Sequence, residues 1–133
     1  ENSDTQWHLG TQEAIDVVNT VDQLWADQDY EGMRPYFADS VVVTRPNGVS
    51  TSTFDSFVES FSTGDNATWS YNYAYSVDLD PSIGGEHVQA GFLITYPATD
   101  DREEYSNLQH ESYYVVDGKI ITIRQYSIRG DSQ

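Results

Sequence analysis

The clearest pattern of hydrophobic and polar positions lies near the C-terminal end of the chain. Two runs rich in β-branched and aromatic residues, 105–116 and 119–128, flank Asp117-Gly118. Asp-Gly between such runs predicts a β-hairpin with a two-residue loop. Because strand side chains alternate with a period of two, uninterrupted pairing from this loop places His110 opposite Gln125.

This pairing sorts the hairpin into two faces. One face carries Leu108, His110, Ser112, Tyr114, Ile121, Ile123, Gln125 and Ser127. The other carries Gln109, Glu111, Tyr113, Thr122, Arg124 and Tyr126, with Glu111 and Arg124 as a structural cross-strand pair. The first face is apolar apart from a few polar side chains, among them a histidine and a glutamine. We therefore expect part of any chemical site on that face.

The first half of the chain has a helical pattern instead. Apolar residues recur at three- and four-residue spacing from Ala14 to Trp25, which predicts an amphipathic helix from an N-cap at Thr11 to about Gln28. A short second helix is expected at 30–37, limited by Pro35. A third helix, capped by Ser52 or Thr53, is expected to run to Phe61, with Gly64 as its C-cap.

Further strands are predicted at 40–45, 68–80 and 86–96. Residues 68–80 alternate strictly and place Trp69, Tyr71, Tyr73 and Tyr75 on one face. Aromatic side chains with polar tips suit core packing, a ligand-lined cavity or a dimer interface, and all three alternatives stay open. With helices first and meandering strands last, the order predicts one α+β domain over 11–130, after a polar segment at 1–10 in which Trp7 is a candidate anchor.

Charge and composition limit the classes of partner and cofactor that we expect for this chain. Acidic residues number 22 against six basic ones, for a net charge of −16, which argues against nucleic acid and anionic membranes as partners. The absence of cysteine excludes disulfides and thiolate chemistry. The acidic loop at 100–104 lacks calcium-loop spacing, so we expect no metal site and no cofactor. The polar residues that follow Glu1 do not decide whether the protein is exported or cytoplasmic, and they slightly favour export.

Two segments resemble a known family. The run LWADQDYEGMRPYFADSVVVTRPNG, residues 24–48, and the hairpin segment DGKIITIRQY, residues 117–126, resemble the NTF2-like superfamily, which includes the SnoaL-like proteins. The resemblance implies the NTF2-like (cystatin-like) fold: a conical half-barrel of three N-terminal helices packed on a curved, mostly antiparallel sheet. It also implies a small-molecule pocket and a homodimer formed through the outer sheet face.

The catalytic residues of the family's enzymes do not carry over to this chain. The ketosteroid isomerase pattern puts its tyrosine on Val21, its general base on Arg45 and its protonated aspartate near Ser112. Limonene epoxide hydrolase needs acidic residues where this chain has Arg124-Gln125-Tyr126. Scytalone dehydratase needs two pocket histidines, and neither His8 nor His87 can be assigned to the pocket.

The remaining candidates are polar residues that the alignment or the hairpin pairing directs toward the pocket. Arg45 could clamp a carboxylate, His110 could act as general acid or base, and Gln125 could orient it. Further expected ligand contacts are Ser112, Tyr114 and Tyr73. The main functional hypothesis is a domain that binds a small apolar or amphipathic molecule. The alternatives are a small lyase, isomerase or hydrolase using His110 with Arg45 and Gln125, and a structural dimerisation module without a ligand.

Overall fold

A computed structural model describes residues 8–61 and 66–129. Trp7 and Gly64 lie outside these ranges, so their predicted roles as anchor and C-cap are not addressed. The described chain forms three α-helices packed on one seven-stranded, mostly antiparallel sheet, which is the expected α+β class. None of the described helices has the length and apolar character that crossing a membrane would require.

The helices begin where the capping residues predict. Helix α1, Gln12–Ala26, starts after Thr11, whose Oγ1 accepts a hydrogen bond from the Ala14 amide at 3.2 Å. Helix α3, Phe54–Phe61, follows Thr53, whose Oγ1 accepts from the Ser56 amide. The predicted second helix is shorter than expected: α2, Tyr30–Met33, passes into a 3₁₀ turn at Arg34–Tyr36, because proline cannot continue the α-helical hydrogen bonding.

The sheet has the spatial order β1-β4-β5-β6-β7-β2-β3. Its strands are β1 (His8–Leu9), β2 (Phe37–Thr44), β3 (Ser50–Thr51), β4 (Thr68–Asp78), β5 (Glu86–Tyr96), β6 (Tyr105–Val116) and β7 (Lys119–Arg129). Only β2 and β7 pair in parallel among the described strands. Strand β1 belongs to the segment predicted as a polar tail, and it pairs with the end of β4.

The helices cover one side of the sheet, which we call the inner face, and the opposite side is the outer face. Inner-face side chains form the core with the apolar sides of the helices, and Met33, Val41, Val88, Ile120 and Ile123 have no exposed surface. The outer face exposes large side chains, including Tyr73, Tyr126 and Ile128, at 49%, 54% and 72%. The two faces therefore differ sharply in their contact with solvent.

The hairpin begins as predicted and then departs from the uninterrupted register. Asp117 and Gly118 have φ of 51° and 78°, as a two-residue type I′ loop requires, and Val115 pairs with Ile120. Tyr114 then pairs with Thr122, so Ile121 is an extra residue in a β-bulge. The predicted pairings of His110 with Gln125 and of Glu111 with Arg124 are wrong, because His110 pairs with Tyr126 and Glu111 pairs with Gln125.

A second bulge divides the aromatic ladder of β4. Tyr71 pairs with Phe92 and Tyr73 with Gly91, which leaves Asn72 as the extra residue. Trp69 and Tyr71 therefore lie on the inner face, and Tyr73 and Tyr75 lie on the outer face. The predicted placement of all four rings on one face is wrong. The ring of Tyr73 lies over Gly91, where an added Cβ would come within 2.1 Å of it.

Candidate functional site

A cavity of about 700 Å³ lies between the inner face and the helices. Its walls come from the C-terminal half of α1, the turn after β2, and strands β4 to β7. Seven aromatic side chains line it: Trp25, Tyr30, Trp69, Phe92, Tyr96, Tyr105 and Tyr113. The inner face thus holds both the apolar core and a space large enough for a small organic molecule.

Glu111 on β6 is the most unusual group in this cavity. Its carboxylate accepts hydrogen bonds from Tyr113 Oη, from Gln109 Nε2 at 2.5 Å and from Gln125 Nε2 at 3.0 Å. Burial raises the pKa of Glu111, and the three hydrogen bonds only partly offset this effect. A buried carboxyl group with a raised pKa can take up or release a proton closer to neutral pH than an exposed glutamate can.

Asp22 on α1 contributes a second carboxyl group. Its Oδ1 accepts a hydrogen bond from Trp69 Nε1 at 2.8 Å, which joins the helix to β4. One turn earlier, Asn19 Oδ1 accepts from Tyr71 Oη at 2.6 Å. Burial raises the pKa of Asp22, the Trp69 hydrogen bond opposes this, and the charge of Asp22 in turn raises the pKa of Glu111.

The tyrosines beside these carboxyl groups stay protonated. Burial and the neighbouring acidic groups raise the pKa of Tyr71 to about 12 and that of Tyr113 well above its ordinary value. A protonated Tyr113 keeps its hydroxyl as a donor to Glu111. The two carboxyl groups and the two tyrosines thus form one electrostatically coupled group on the inner face.

Arg45 and Asn107 also line the cavity. Arg45 follows the end of β2, and its guanidinium donates to Ser60 Oγ on α3. Asn107 on β6 has a buried Oδ1 that accepts no hydrogen bond from any described residue. A buried acceptor without a donor lowers the stability of the fold.

The sequence-predicted site residues separate into two groups. Arg45 and Gln125 line the cavity. His110, Ser112, Tyr114 and Tyr73 lie on the outer face. The Ile121 bulge in β7 separates Gln125 from the side of His110, and the Asn72 bulge in β4 turns Tyr73 outward. There His110 Nε2 donates to Gln89 Oε1 at 2.7 Å, and Tyr114 Oη donates to the Gly84 carbonyl at 3.0 Å.

The outer face has a smaller depression of about 410 Å³, lined by His87, Ser112, Tyr114, Thr122 and Arg124. Within the described part of the chain, no carboxyl group lines it, and Arg124 is exposed to solvent. The inner cavity is therefore the better candidate site. Among the residues at 8–61 and 66–129, no three histidine or acidic side chains are grouped to hold a metal ion.

The sequence does not predict Glu111, Asp22, Tyr113 or Asn107 as site residues. A hairpin extended without a bulge pairs Glu111 with Arg124 and so directs it away from the site. A signal was available in β6, where Gln109, Glu111, Tyr113 and Val115 alternate and end on an apolar residue beside the loop. For Asp22 and Asn107, no local sequence signal distinguishes them from surface residues.

Sequence comparison finds no match, whereas comparison of structures finds proteins of similar fold. No family model matches the sequence, and no curated protein is significantly similar to it. An NTF2-like protein from Burkholderia xenovorans superposes with a TM-score of 0.69 at 14% identity, over 91% of this chain and 93% of that one.

Two enzyme-like structures are also similar. A candidate ketosteroid isomerase from Kribbella flavida has a TM-score of 0.69 at 9% identity, over 94% of this chain and 84% of that one. An LEH-like epoxide hydrolase from M. tuberculosis has a TM-score of 0.66 at 12% identity, over 89% and 84%. At these identities the likeness establishes the fold, which is NTF2-like, and not the activity.

Proposed function

We propose that this protein binds a small amphipathic molecule in the inner-face cavity. The observation that carries the proposal is the combination of a volume of about 700 Å³ with aromatic walls and convergent buried polar groups. Ligand pockets are typically about 300 Å³ or larger and mostly apolar, with a few placed polar groups. In this proposal the sheet curls around the ligand as a conical half-barrel that the helices close.

Adjacent residues of β5 provide the test. Ile94 lines the cavity, whereas Leu93 points to the outer face and is 36% exposed. Calorimetric titration with the neutral bicyclic alcohol 2-naphthalenemethanol should detect binding to the wild-type chain. Ile94→Trp should weaken binding at least about tenfold by filling the cavity, and Leu93→Trp should change it less than about twofold. Absence of binding by this alcohol and by the corresponding amine and carboxylate, or equal loss in both variants, would refute the proposal.

A second candidate function is acid–base catalysis, and the position of Glu111 favours it. The enzymatic hypothesis moves from His110 to Glu111, because only Glu111 lies in the cavity. In the sequence resemblance, the protonated aspartate of ketosteroid isomerase falls near Ser112, which is the residue after Glu111. In this hypothesis the carboxyl group of Glu111 exchanges a proton with a carbon or oxygen atom of the substrate.

A model reaction can detect such a base. In 5-nitrobenzisoxazole, removal of the ring C3 proton by a carboxylate breaks the N–O bond and gives a coloured cyanophenolate. The wild-type protein should accelerate this reaction as pH rises and Glu111 ionises, and Glu111→Gln should abolish the acceleration. Glu13→Gln makes the same change at an exposed position on α1 and should leave it intact. Equal rates for wild type and Glu111→Gln would exclude Glu111 as the base.

We also propose a homodimer formed through the outer face. Leu108, Tyr126 and Tyr73 are about half exposed there, and tyrosine is enriched at protein interfaces. Light scattering after gel filtration should give twice the chain mass of 15.0 kDa. The double variant Leu108→Lys, Tyr126→Lys should be monomeric, whereas Val49→Lys, in the exposed turn before β3, should remain dimeric. A monomeric wild-type protein would refute this proposal.

A further inference from the structure

Two carboxyl groups and an amide provide hydrogen-bond acceptors in the cavity. When they are ionised, Asp22 and Glu111 can only accept, and Asn107 adds a further acceptor oxygen. The donors beside the carboxyl groups are already used: Trp69 Nε1 donates to Asp22, and Tyr113 Oη donates to Glu111. Asn107 Oδ1, in contrast, accepts no hydrogen bond from the described chain. The arrangement favours a ligand whose polar end is a donor.

The charge of the surroundings points to a positive donor. Asp22 and Glu111 are the acidic groups of the lining, and the chain as a whole has a net charge of −16. Such a field attracts cations and repels anions over distances beyond direct contact. The basic side chain of the described lining, Arg45, follows the end of β2 and is hydrogen-bonded to Ser60.

Aromatic rings lie beside the acidic groups. Trp69 is hydrogen-bonded to Asp22, and its ring lies 6.4 Å from that of Trp25 in an edge-to-face arrangement. Phe92 adds a further ring to the same wall. Aromatic faces attract organic cations by cation–π interaction, and they also bury the hydrophobic part of such a molecule.

We propose that the ligand is a hydrophobic organic cation, a protonated amine attached to an aromatic or alicyclic ring system. Its ammonium group donates to Glu111 and Asp22, and its ring system packs on Trp25, Trp69 and Phe92. This inference rests on the proposed small-molecule function and specifies the ligand class. Burial raises the pKa values of Asp22 and Glu111, and a bound ammonium group lowers them again in part. The affinity for the amine therefore increases with pH, until the amine itself loses its proton.

Three probes of one shape test the charge preference. Calorimetric titrations at pH 7.5 compare 2-naphthylmethylamine, 2-naphthalenemethanol and 2-naphthoate, which differ in the charge of the polar group. The amine should bind at least about tenfold more tightly than the alcohol, and the carboxylate should bind weakest. Glu111→Gln should remove most of the advantage of the amine over the alcohol. Glu13→Gln, at an exposed site, should leave this advantage unchanged.

The outcomes separate the two proposals. If the alcohol or the carboxylate binds as tightly as the amine, the cation inference is wrong and the small-molecule site stands. If the amine is preferred but Glu111→Gln and Asp22→Asn both retain the preference, the assignment of the ammonium site is wrong. If none of the three probes binds, both the ligand class and the proposed function are refuted.

Discussion

The two faces of β6 carry different chemistry within one strand. Glu111 points to the inner face, is 5% exposed and accepts three hydrogen bonds. His110, the preceding residue, points to the outer face and is hydrogen-bonded to Gln89. Histidine is the more frequent acid–base catalyst at neutral pH, yet here it lies outside the cavity. Placement on the sheet, and the burial that comes with it, decides which of the two can act on a ligand.

Two bulges decide which side chains of β4 and β7 share a face with Glu111 and which share a face with His110. Each inserts one residue, Asn72 in β4 and Ile121 in β7, and so reverses the side of the sheet for residues beyond it. The chemical difference between the two faces therefore depends on Asn72 and Ile121, and neither residue lines the cavity or the outer depression.

Deletion of Arg124 should have the largest effect. If the shortened strand keeps the bulge, Gln125 turns to the outer face. If it loses the bulge, the fully buried Ile123 turns to the outer face instead. We expect a loss of about 3 kcal/mol or more in the free energy of unfolding, measured by urea denaturation. Deletion of Ile121 is the matched control, because it removes the bulge and keeps Ile120 and Ile123 on the inner face. A larger loss for the Ile121 deletion would favour the uninterrupted register.

Glu111→Gln should have an intermediate effect that depends on pH. Burial raises the pKa of Glu111 in the folded state above its pKa in the unfolded chain. The protonated Glu111 side chain therefore contributes to stability at pH values below its unfolded pKa. This contribution is lost as the pH rises through its folded pKa. The melting temperature of Glu111→Gln relative to wild type should therefore increase by about 3–6 °C from pH 4 to pH 8, as expected for an effect of roughly 1 kcal/mol or more.

A control separates this effect from general changes in charge. Glu13→Gln, at an exposed position on α1, should follow the wild-type melting temperature across the same pH range. A constant difference between Glu111→Gln and wild type at every pH would show that Glu111 has the same pKa in the folded and unfolded states.

His110→Ala should have the smallest effect. It removes the hydrogen bond to Gln89 from a partly exposed site, so we expect a loss of about 1 kcal/mol or less in the free energy of unfolding. Binding of 2-naphthalenemethanol should change less than about twofold. A large loss of binding with stability unchanged would instead connect the outer face to the cavity.

Much of the fold could be predicted from the sequence because its signals are local. Thr11 and Thr53 cap helices through their own side chains, and Asp117-Gly118 adopts the backbone conformation that its residue types favour. Strands β5 and β6 begin and end where predicted. The two-residue strand β3 was not predicted, because its pairing with β2 depends on the turn between them.

The site was less predictable, because bulge positions are fixed by packing between distant segments. Neither Asn72 nor Ile121 differs from its neighbours in a way that indicates an extra residue, and Ile121 lies within an ordinary β-branched run. A one-residue error then exchanges inner and outer positions. Arg45 and Gln125 do line the cavity, whereas His110 and Tyr114 do not.

The alternation along β6 has a consequence for protein engineering. Positions 107, 109, 111 and 113 line the cavity, and positions 108, 110, 112 and 114 face outward on the same strand. Under the two proposals made above, a mutant library at the odd-numbered positions changes ligand selection, and one at the even-numbered positions changes dimer formation. The two properties could be selected in separate libraries and combined in one gene, provided that the residue count between Tyr105 and Val116 is kept.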